Sequence, residues 1–331
     1  MRVEIANIKQ FNNMLFSKYN LKNITNITGL TIDSRLVKNG DIFIPLNGQN
    51  VDGHDFINNA IKSGASLVLS ENKNHIDSDK IKYVKSTYNS LQNISKKWRE
   101  KFSGNVIGIT GSNGKTTTKE ILANILSNDI KCNYSKNNYN STTGVPLSII
   151  GMNKDSDVYV LELGMSQPGE INSLCNIANP NIGLITNISG AHIEFFKSIE
   201  NIAKEKSSLF LSLTKNDTAF YNIDDPLIEK IPTKATKITY SLLKNANYRG
   251  IVENGTNNTK NLLINNEIKI RLPYNTNYFA YNVLAAFAIA DYLNINTQTI
   301  IKKIEEFQNL PGRNHIFNHS ECIIIDDTYN S

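Results

Sequence analysis

The chain has 331 residues, 35 Lys and Arg against 30 Asp and Glu, and a formal charge of +5, which leaves room for two domains and part of a third. Its 40% hydrophobic and 20% charged residues are those of an ordinary soluble protein. The mild, evenly spread positive balance suits anionic ligands and, with no basic run interleaved with aromatics, argues against nucleic acid. Three scattered cysteines (Cys132, Cys175, Cys322) form no C-x-x-C pair for zinc or a disulfide framework. The charged N-terminus and the lack of any apolar run near ~20 residues predict a cytoplasmic protein without membrane insertion.

Taken in order, Ile27 to Arg35 reads as extended, and Asp41 to Leu46 as a strand after the turn Lys38-Asn39-Gly40. Asp55 to Ser63 has helical spacing stopped by Gly64, Leu67-Val68-Leu69 is a short buried strand, and Asn89 to Phe102 is helical. Ser103-Gly104-Asn105 reads as a hinge, so residues 1–103 are expected to form a small α/β domain.

Val106-Ile107-Gly108-Ile109-Thr110 is an apolar strand that stops at Gly111-Ser112-Asn113-Gly114, and Lys115-Thr116-Thr117-Thr118 then opens a helical pattern. Strand, glycine turn and helix together make a phosphate cradle, because N–H groups and the helix dipole converge on an anion. Gly111 and Gly114 permit close backbone approach, Lys115 supplies a point charge, and the Thr116 hydroxyl can reach Mg²⁺. The strict Walker pattern asks for glycine where this chain has Ile109, so the loop is a variant. Beyond it, apolar strands (Asp157 to Leu163, Ile182 to Ile188) alternate with helices, which predicts a mostly parallel sheet covered on both faces. Ligands gather at the carboxyl ends of such strands, where Glu162 and the loop Asn187 to His192 fall. Residues 235–273 read as β-rich, Tyr281 to Leu293 as a helix, Leu310-Pro311-Gly312-Arg313 as a linker, and Glu321 to Asp327 as one last strand. The expected division is 1–103, 104–310 and 311–331, the last piece holding the linker and first strand of a third α/β domain.

A carboxylate such as Glu162 at a strand end beside a phosphate loop suits Mg²⁺, which takes a few carboxylates plus phosphate oxygens; alone it would be a solvated side chain. His192 has no partner at HxxxH or HExxH spacing. Lys204 and Lys206, on a following helical stretch, read on their own as a solvated charged face.

Taken together, the loop T-G-S-N-G-K-T-T, Glu162-Leu163-Gly164-Met165, Asn187 to His192 and the lysine-bearing helix resemble the ATP-dependent Mur ligases of peptidoglycan synthesis. Four details favour the branch that joins D-Ala-D-Ala to UDP-MurNAc-tripeptide. They are Asp33-Ser34-Arg35 with Asp52-Gly53-His54, the run Asn137 to Leu147, Met165 followed by Pro168-Gly169-Glu170-Ile171, and Leu310 to Arg313 with Asp326 to Asn330. The resemblance implies ATP and two Mg²⁺ ions. Lys115 would hold the β- and γ-phosphates within a nucleotide cradle of Gly111, Ser112, Asn113, Gly114, Thr116 and Thr117. Thr116 and Glu162 would bind one ion, and His192 the second together with a carbamylated Lys206, with Lys204 as a competitor for that modification. Asn282 would lie near the adenine, and Arg313 and Asp327 near the phosphates and ribose. Ser34 and Arg35 would meet the uridine-diphosphate end of the substrate, and Asn137, Asn140, Ser141 and Thr142 its further parts.

The chain departs from the family in carrying Tyr278 where a histidine often stands, four residues before Asn282. It also stops at Ser331, ahead of the family's C-terminal domain, which suggests a fragment or a truncated product; a monomer is expected. The rival readings are the sister ligase that adds the third residue, a folylpolyglutamate-type enzyme, a binding module without turnover, and a plain P-loop ATPase. The N-terminal domain argues against the last, and Ser34-Arg35 against the folate enzyme.

Overall fold

The computed structural model describes all residues except 20–26, 49, 74–78, 137, 138, 256–258, 309–311, 313, 314, 320, 321, 327 and 329–331. It contains two compact units, one built from Met1–Gly108 with Lys131–Asn181, the other from Ile109–Ile130 with Ile182–Ser331.

The first pass through the first unit gives β1 (Arg2–Glu4), α1 (Ile8–Tyr19), β2 (Gly29–Thr31), β3 (Asp41–Phe43), α2 (Ile57–Lys62), β4 (Leu67–Ser70), β5 (Ile81–Tyr83) and α3 (Thr87–Arg99). The five strands pair in the order β1-β2-β3-β4-β5, antiparallel at β1–β2 and parallel thereafter. Phe43, Ile57, Ala60, Ala65 and Val68 close a small core between this sheet and α2. Arg2 reaches across β2 to the buried Asp41 with two donated bonds of 2.7 and 3.0 Å, and that partner raises its pKa further. The extended segment expected over residues 27–35 is shorter than the sequence suggests. After β2, Asp33 accepts from Arg35 N and winds Ser34–Leu36 into a 3₁₀ turn. Gly64, at φ 102°, ends the helical stretch as expected.

The strand β6 (Asn105–Thr110) carries the chain into the second unit, where α4 (Lys115–Leu126) begins. The return to the first unit gives β7 (Cys132–Tyr134), α5 (Gly144–Ile150), β8 (Val158–Glu162) and α6 (Glu170–Ala178), with β7 and β8 parallel. All five residues of β8 are buried, as a strand covered on both faces requires. Arg99 at the end of α3 donates to the carbonyls of Ala178, Phe102 and Asn179, so α3 grips the C-terminus of α6.

The second unit continues with β9 (Ile182–Ile185), α7 (Ile193–Phe196), α8 (Ile199–Ser212), β10 (Thr218–Asn222), α9 (Pro226–Glu229), β11 (Thr236–Ser241), β12 (Tyr248–Asn254), β13 (Lys260–Ile264), β14 (Ile268–Leu272), α10 (Asn277–Tyr292), α11 (Thr297–Glu305), β15 (His315–His319) and β16 (Cys322–Asp326). Strands β9 to β12 are parallel neighbours, and β12-β13-β14 form an antiparallel meander. Asn265 and Asn266 turn its last corner at φ 52° and 60°, a region asparagine tolerates better than most residues. Helix α10 is buried nearly all round from Phe279 to Ala290, packs against α4, and starts at Thr276, whose hydroxyl caps Phe279 N. The last strand does not stand alone: β16 pairs antiparallel with β15 from His315↔Asp326 to His319↔Cys322. Apolar patterning on β16 alone could not disclose this more polar partner.

Candidate nucleotide-binding site

The strand–loop–helix unit forms as the sequence implies, and the second unit shows what shapes it. Gly111 has φ 149° and Gly114 φ 80°. A Cβ on Gly111 would collide with the Thr186 hydroxyl, and one on Gly114 with the Asn282 side-chain oxygen. Both glycines are needed for conformation and for space. An i→i−4 bond at the start of α4 runs from Thr118 N to Gly114 O at 2.8 Å, so residues 114–117 make up the first turn of this helix, the kind of place where an anion meets backbone amides. Lys115 Nζ lies across the loop, donating to Gly111 O (2.8 Å) and Ser112 O (3.2 Å). Thr116 is buried and Thr117 partly so.

The stretch Thr186–Ser189, after β9, holds this loop from the side. Ser112 N donates to Asn187 O (2.9 Å) and Asn113 N to Asn187 Oδ1 (2.8 Å). Thr186 Oγ1 donates to Asn113 O (2.6 Å), and Ser112 Oγ both donates to Ser189 O and accepts from Ser189 N. The amides of Ser112 and Asn113 therefore fix the loop's shape. Sequence reading grouped both as nucleotide contacts and missed Thr186, Asn187 and Ser189 as the loop's anchor. The sequence puts the loop from Asn187 at the same sheet rim, but does not give the bonds by which it holds the phosphate loop.

Asn282, on α10, accepts from Thr118 Oγ1 (3.3 Å) and abuts Gly114, so the adenine candidate lies at the loop. Tyr278, one turn earlier, is 78% exposed. His192 is exposed, with φ 66°, and stands at the N-terminal boundary of the short helix α7 without a side-chain capping bond. On α8 the two lysines separate: Lys204 is exposed, whereas Lys206 is 2% exposed. Burial, and then the nearby charge of Lys115, lower the Lys206 amine to about 7, with Glu205 partly opposing them. The solvated face that charge alone suggests thus holds for Lys204 and fails for Lys206. Arg313 and Asp327 lie outside the described residues.

The first unit holds the other candidates. Glu162, at the end of β8, is 2% exposed and accepts from Asn140 Nδ2 at 2.8 Å. Gly164 N donates to Asn140 O, so Asn140 braces this strand end from backbone and side chain alike. Ser141 Oγ accepts from Gly144 N at the start of α5, and the Thr142 carbonyl accepts from Gln92 at 2.6 Å. Asn137 lies outside the described residues. Arg35 is drawn back onto Asp33 by two bonds (2.9 and 2.8 Å), with a side chain 86% exposed. A polar cavity of about 560 Å³ is lined by residues that include Asn47, Asp52, His54, Glu71 and Lys73, and Ser34 and Arg35 are not among them. Buried His54 is fixed there: Nδ1 meets Asp52 at 2.7 Å, and Nε2 accepts from Glu71 N. Among the described residues, no three His, Cys, Asp or Glu side chains cluster as a metal site. A buried threonine hydroxyl and a buried carboxylate are nevertheless the hard oxygen donors that suit Mg²⁺ sharing phosphate oxygens.

A phosphate loop of this form and an α/β fold of this order define a known class. Residues 26–105 match the Mur ligase family catalytic domain and residues 109–290 the Mur ligase middle domain. The chain belongs to the Mur ligase family. The UDP-N-acetylmuramoyl-tripeptide–D-alanyl-D-alanine ligase of Rickettsia prowazekii is 35% identical over 329 residues, which cover 94% of this chain and 71% of that protein. The enzyme of the same name from Synechocystis is 32% identical, covering 99% of this chain and 72% of the relative. Among solved structures, MurF from Acinetobacter baumannii superposes with a TM-score of 0.87 at 26% identity, covering 97% of this chain and 73% of that one. MurF ligase from Thermotoga maritima in complex with ADP gives 0.83 at 30% identity, covering 91% and 71%.

Proposed function

We propose that the chain performs the ligation for which these relatives are named, joining D-Ala-D-Ala to UDP-MurNAc-tripeptide at the expense of ATP. A carboxylate is a poor acyl donor, because hydroxide or oxide would have to leave. In the proposed sequence the terminal carboxylate oxygen of the tripeptide attacks the γ-phosphorus of ATP, and ADP departs with the electrons of the broken P–O bond. The amine of D-Ala-D-Ala then attacks the acyl carbon. The C–N bond forms, the C–O bond to phosphate breaks, and the amine loses a proton as inorganic phosphate leaves.

The observation that carries this reading is the phosphate loop with Lys115 Nζ across its mouth, 2.8 Å from Gly111 O. That ammonium can move from loop carbonyls to phosphate oxygens, and the amides of 114–117 add fixed dipoles, so the loop orients ATP and spreads charge with little reorganisation. Bound Mg²⁺ would offset the repulsion between the phosphoryl group and the incoming carboxylate. We assign Thr116 and Glu162 to one ion, and His192 with Lys206 to the second. An amine near pKa 7 is partly neutral at physiological pH and can add CO₂ to become a carbamate, which supports Lys206 over the exposed Lys204 for that role. Asn282 is assigned to the adenine, and Arg313 and Asp327 to phosphates and ribose. Ser34 and Arg35 are assigned to the uridine-diphosphate end, and Asn137, Asn140, Ser141 and Thr142 to the rest of the acceptor. The reading keeps the division 1–103, 104–310 and 311–331, a monomer and a cytoplasmic setting. Among the described residues no helix is long and apolar enough to cross a membrane.

The test is phosphate release by the purified chain with ATP, Mg²⁺ and UDP-MurNAc-tripeptide, with and without D-Ala-D-Ala. Release that needs both acceptor and dipeptide is the expected result. Nucleotide hydrolysis indifferent to both would leave a plain ATPase. Lys206→Ala should abolish release, and a short-chain carboxylate should restore part of it; full activity in the variant, or no rescue, would overturn the carbamate.

A further inference from the structure

We propose that Asp225 is a positioning residue for the phosphate loop, acting through the stretch Thr186–Ser189. Its two carboxylate oxygens have different tasks. Oδ1 accepts from Leu227 N (3.0 Å) and Ile228 N (3.3 Å), capping α9, while Oδ2 accepts from Ile188 N at 2.7 Å. Ile188 lies between Asn187, which takes the amides of Ser112 and Asn113, and Ser189, which exchanges two bonds with the Ser112 hydroxyl. Three residues before Asp225, Asn222 Nδ2 donates to Thr186 O at 3.0 Å. The carboxyl end of β10 therefore fastens the whole anchor, and the anchor fastens the loop. Helix α9 begins with Pro226, whose ring sterically restricts the backbone of Asp225 before it. A carboxylate shared between a helix start and a loop stretch ties the position of one to the other, which a cap alone would not.

The alternative is that Asp225 only caps α9, and residue chemistry separates the two. Asn and Ser cap helices about as well as Asp. Neither can keep the Ile188 bond as well: the serine hydroxyl is too short, and asparagine spends its one oxygen on the cap and turns an NH₂ toward another donor. Asp225→Ser and Asp225→Asn thus keep α9 and cut the tether.

The experiment is amide hydrogen exchange on the full chain without nucleotide, comparing wild type, both variants and Ser86→Ala, which removes the cap of α3 in the first unit. Exchange in peptides covering 111–117 and 186–192 should quicken roughly tenfold in both Asp225 variants, the scale of one charge-assisted hydrogen bond. Peptides from α10 should be unchanged, and Ser86→Ala should leave both loops as in wild type. Unchanged loop exchange in the Asp225 variants would overturn the proposal. So would equal loosening of α10, or failure of both variants to fold, since each would make Asp225 a general structural residue. A second arm rests on the functional reading above: the Kd for Mg-ADP should rise about tenfold in both variants. If wild type itself binds no ADP, that reading fails, while the exchange result still decides the tether.

Discussion

Lys204 and Lys206 are two positions apart on one helix, and the fold treats them oppositely. A helical charge pattern cannot say which of two near neighbours faces inward, so the buried amine was not legible without the packing around α8. Its pKa near 7, against an ordinary 10.5, fixes a pH dependence. Between those values the unfolded chain holds a proton that the folded chain has released, so stability rises with pH across about 7 to 10.5. Below that window the full cost of a buried charge remains. Lys206→Met should therefore melt higher than wild type at pH 6, with the gap closing toward pH 10.5; a pH-independent gap would show that packing governs the site instead. The glycines of the loop, in contrast, stand at the turn that the spacing indicates, both at positive φ. Gly114→Ala places a Cβ at φ 80° against the Asn282 oxygen, and should cost about 1–3 kcal/mol in a urea titration while weakening ADP binding.

At the scale of elements, strands were legible where an apolar run met a stop residue, as for β6 and β8, whereas α10 begins at Asn277, four residues before the helix read from Tyr281. What escaped were joints made by single polar side chains far apart in sequence. Asn140 and Glu162 are 22 residues apart, and Ile188 and Asp225 37. No periodicity links such pairs, because each bond depends on two elements already being placed. The Arg99 clamp is of this kind, joining α3 to carbonyls 79 and 80 residues on. Burial lowers the Arg99 pKa, but a guanidinium keeps its proton in a protein. Arg99→Met would strand three carbonyls and should lower stability by about 2–4 kcal/mol, measured by the denaturation midpoint. Arg99→Lys should recover little, since one ammonium cannot reproduce the planar fork.

For the whole molecule, the three cysteines give a compact check on the fold. Cys322 is exposed, Cys175 is buried, and burial pushes the Cys132 thiol up to about 12. A maleimide-type reagent at pH 7.5 should label one thiol quickly in the native protein and all three in denaturant; rapid native labelling of Cys175 would contradict the packing of α6. The order in which the chain builds its two units has a further consequence, for biosynthesis. Residues 109–130 belong with residues that begin only at 182, and residues 131–181 complete what Met1–Gly108 started. As the polypeptide emerges from the ribosome, α4 and its phosphate loop must wait, exposed, while more than fifty further residues are made. During that interval the first unit can close and bury its apolar surface, but the second cannot. A cut at 108 therefore leaves both units unfinished, a cut at 181 strips the second of α4, and the segment most in need of chaperone cover is the one proposed to hold the nucleotide.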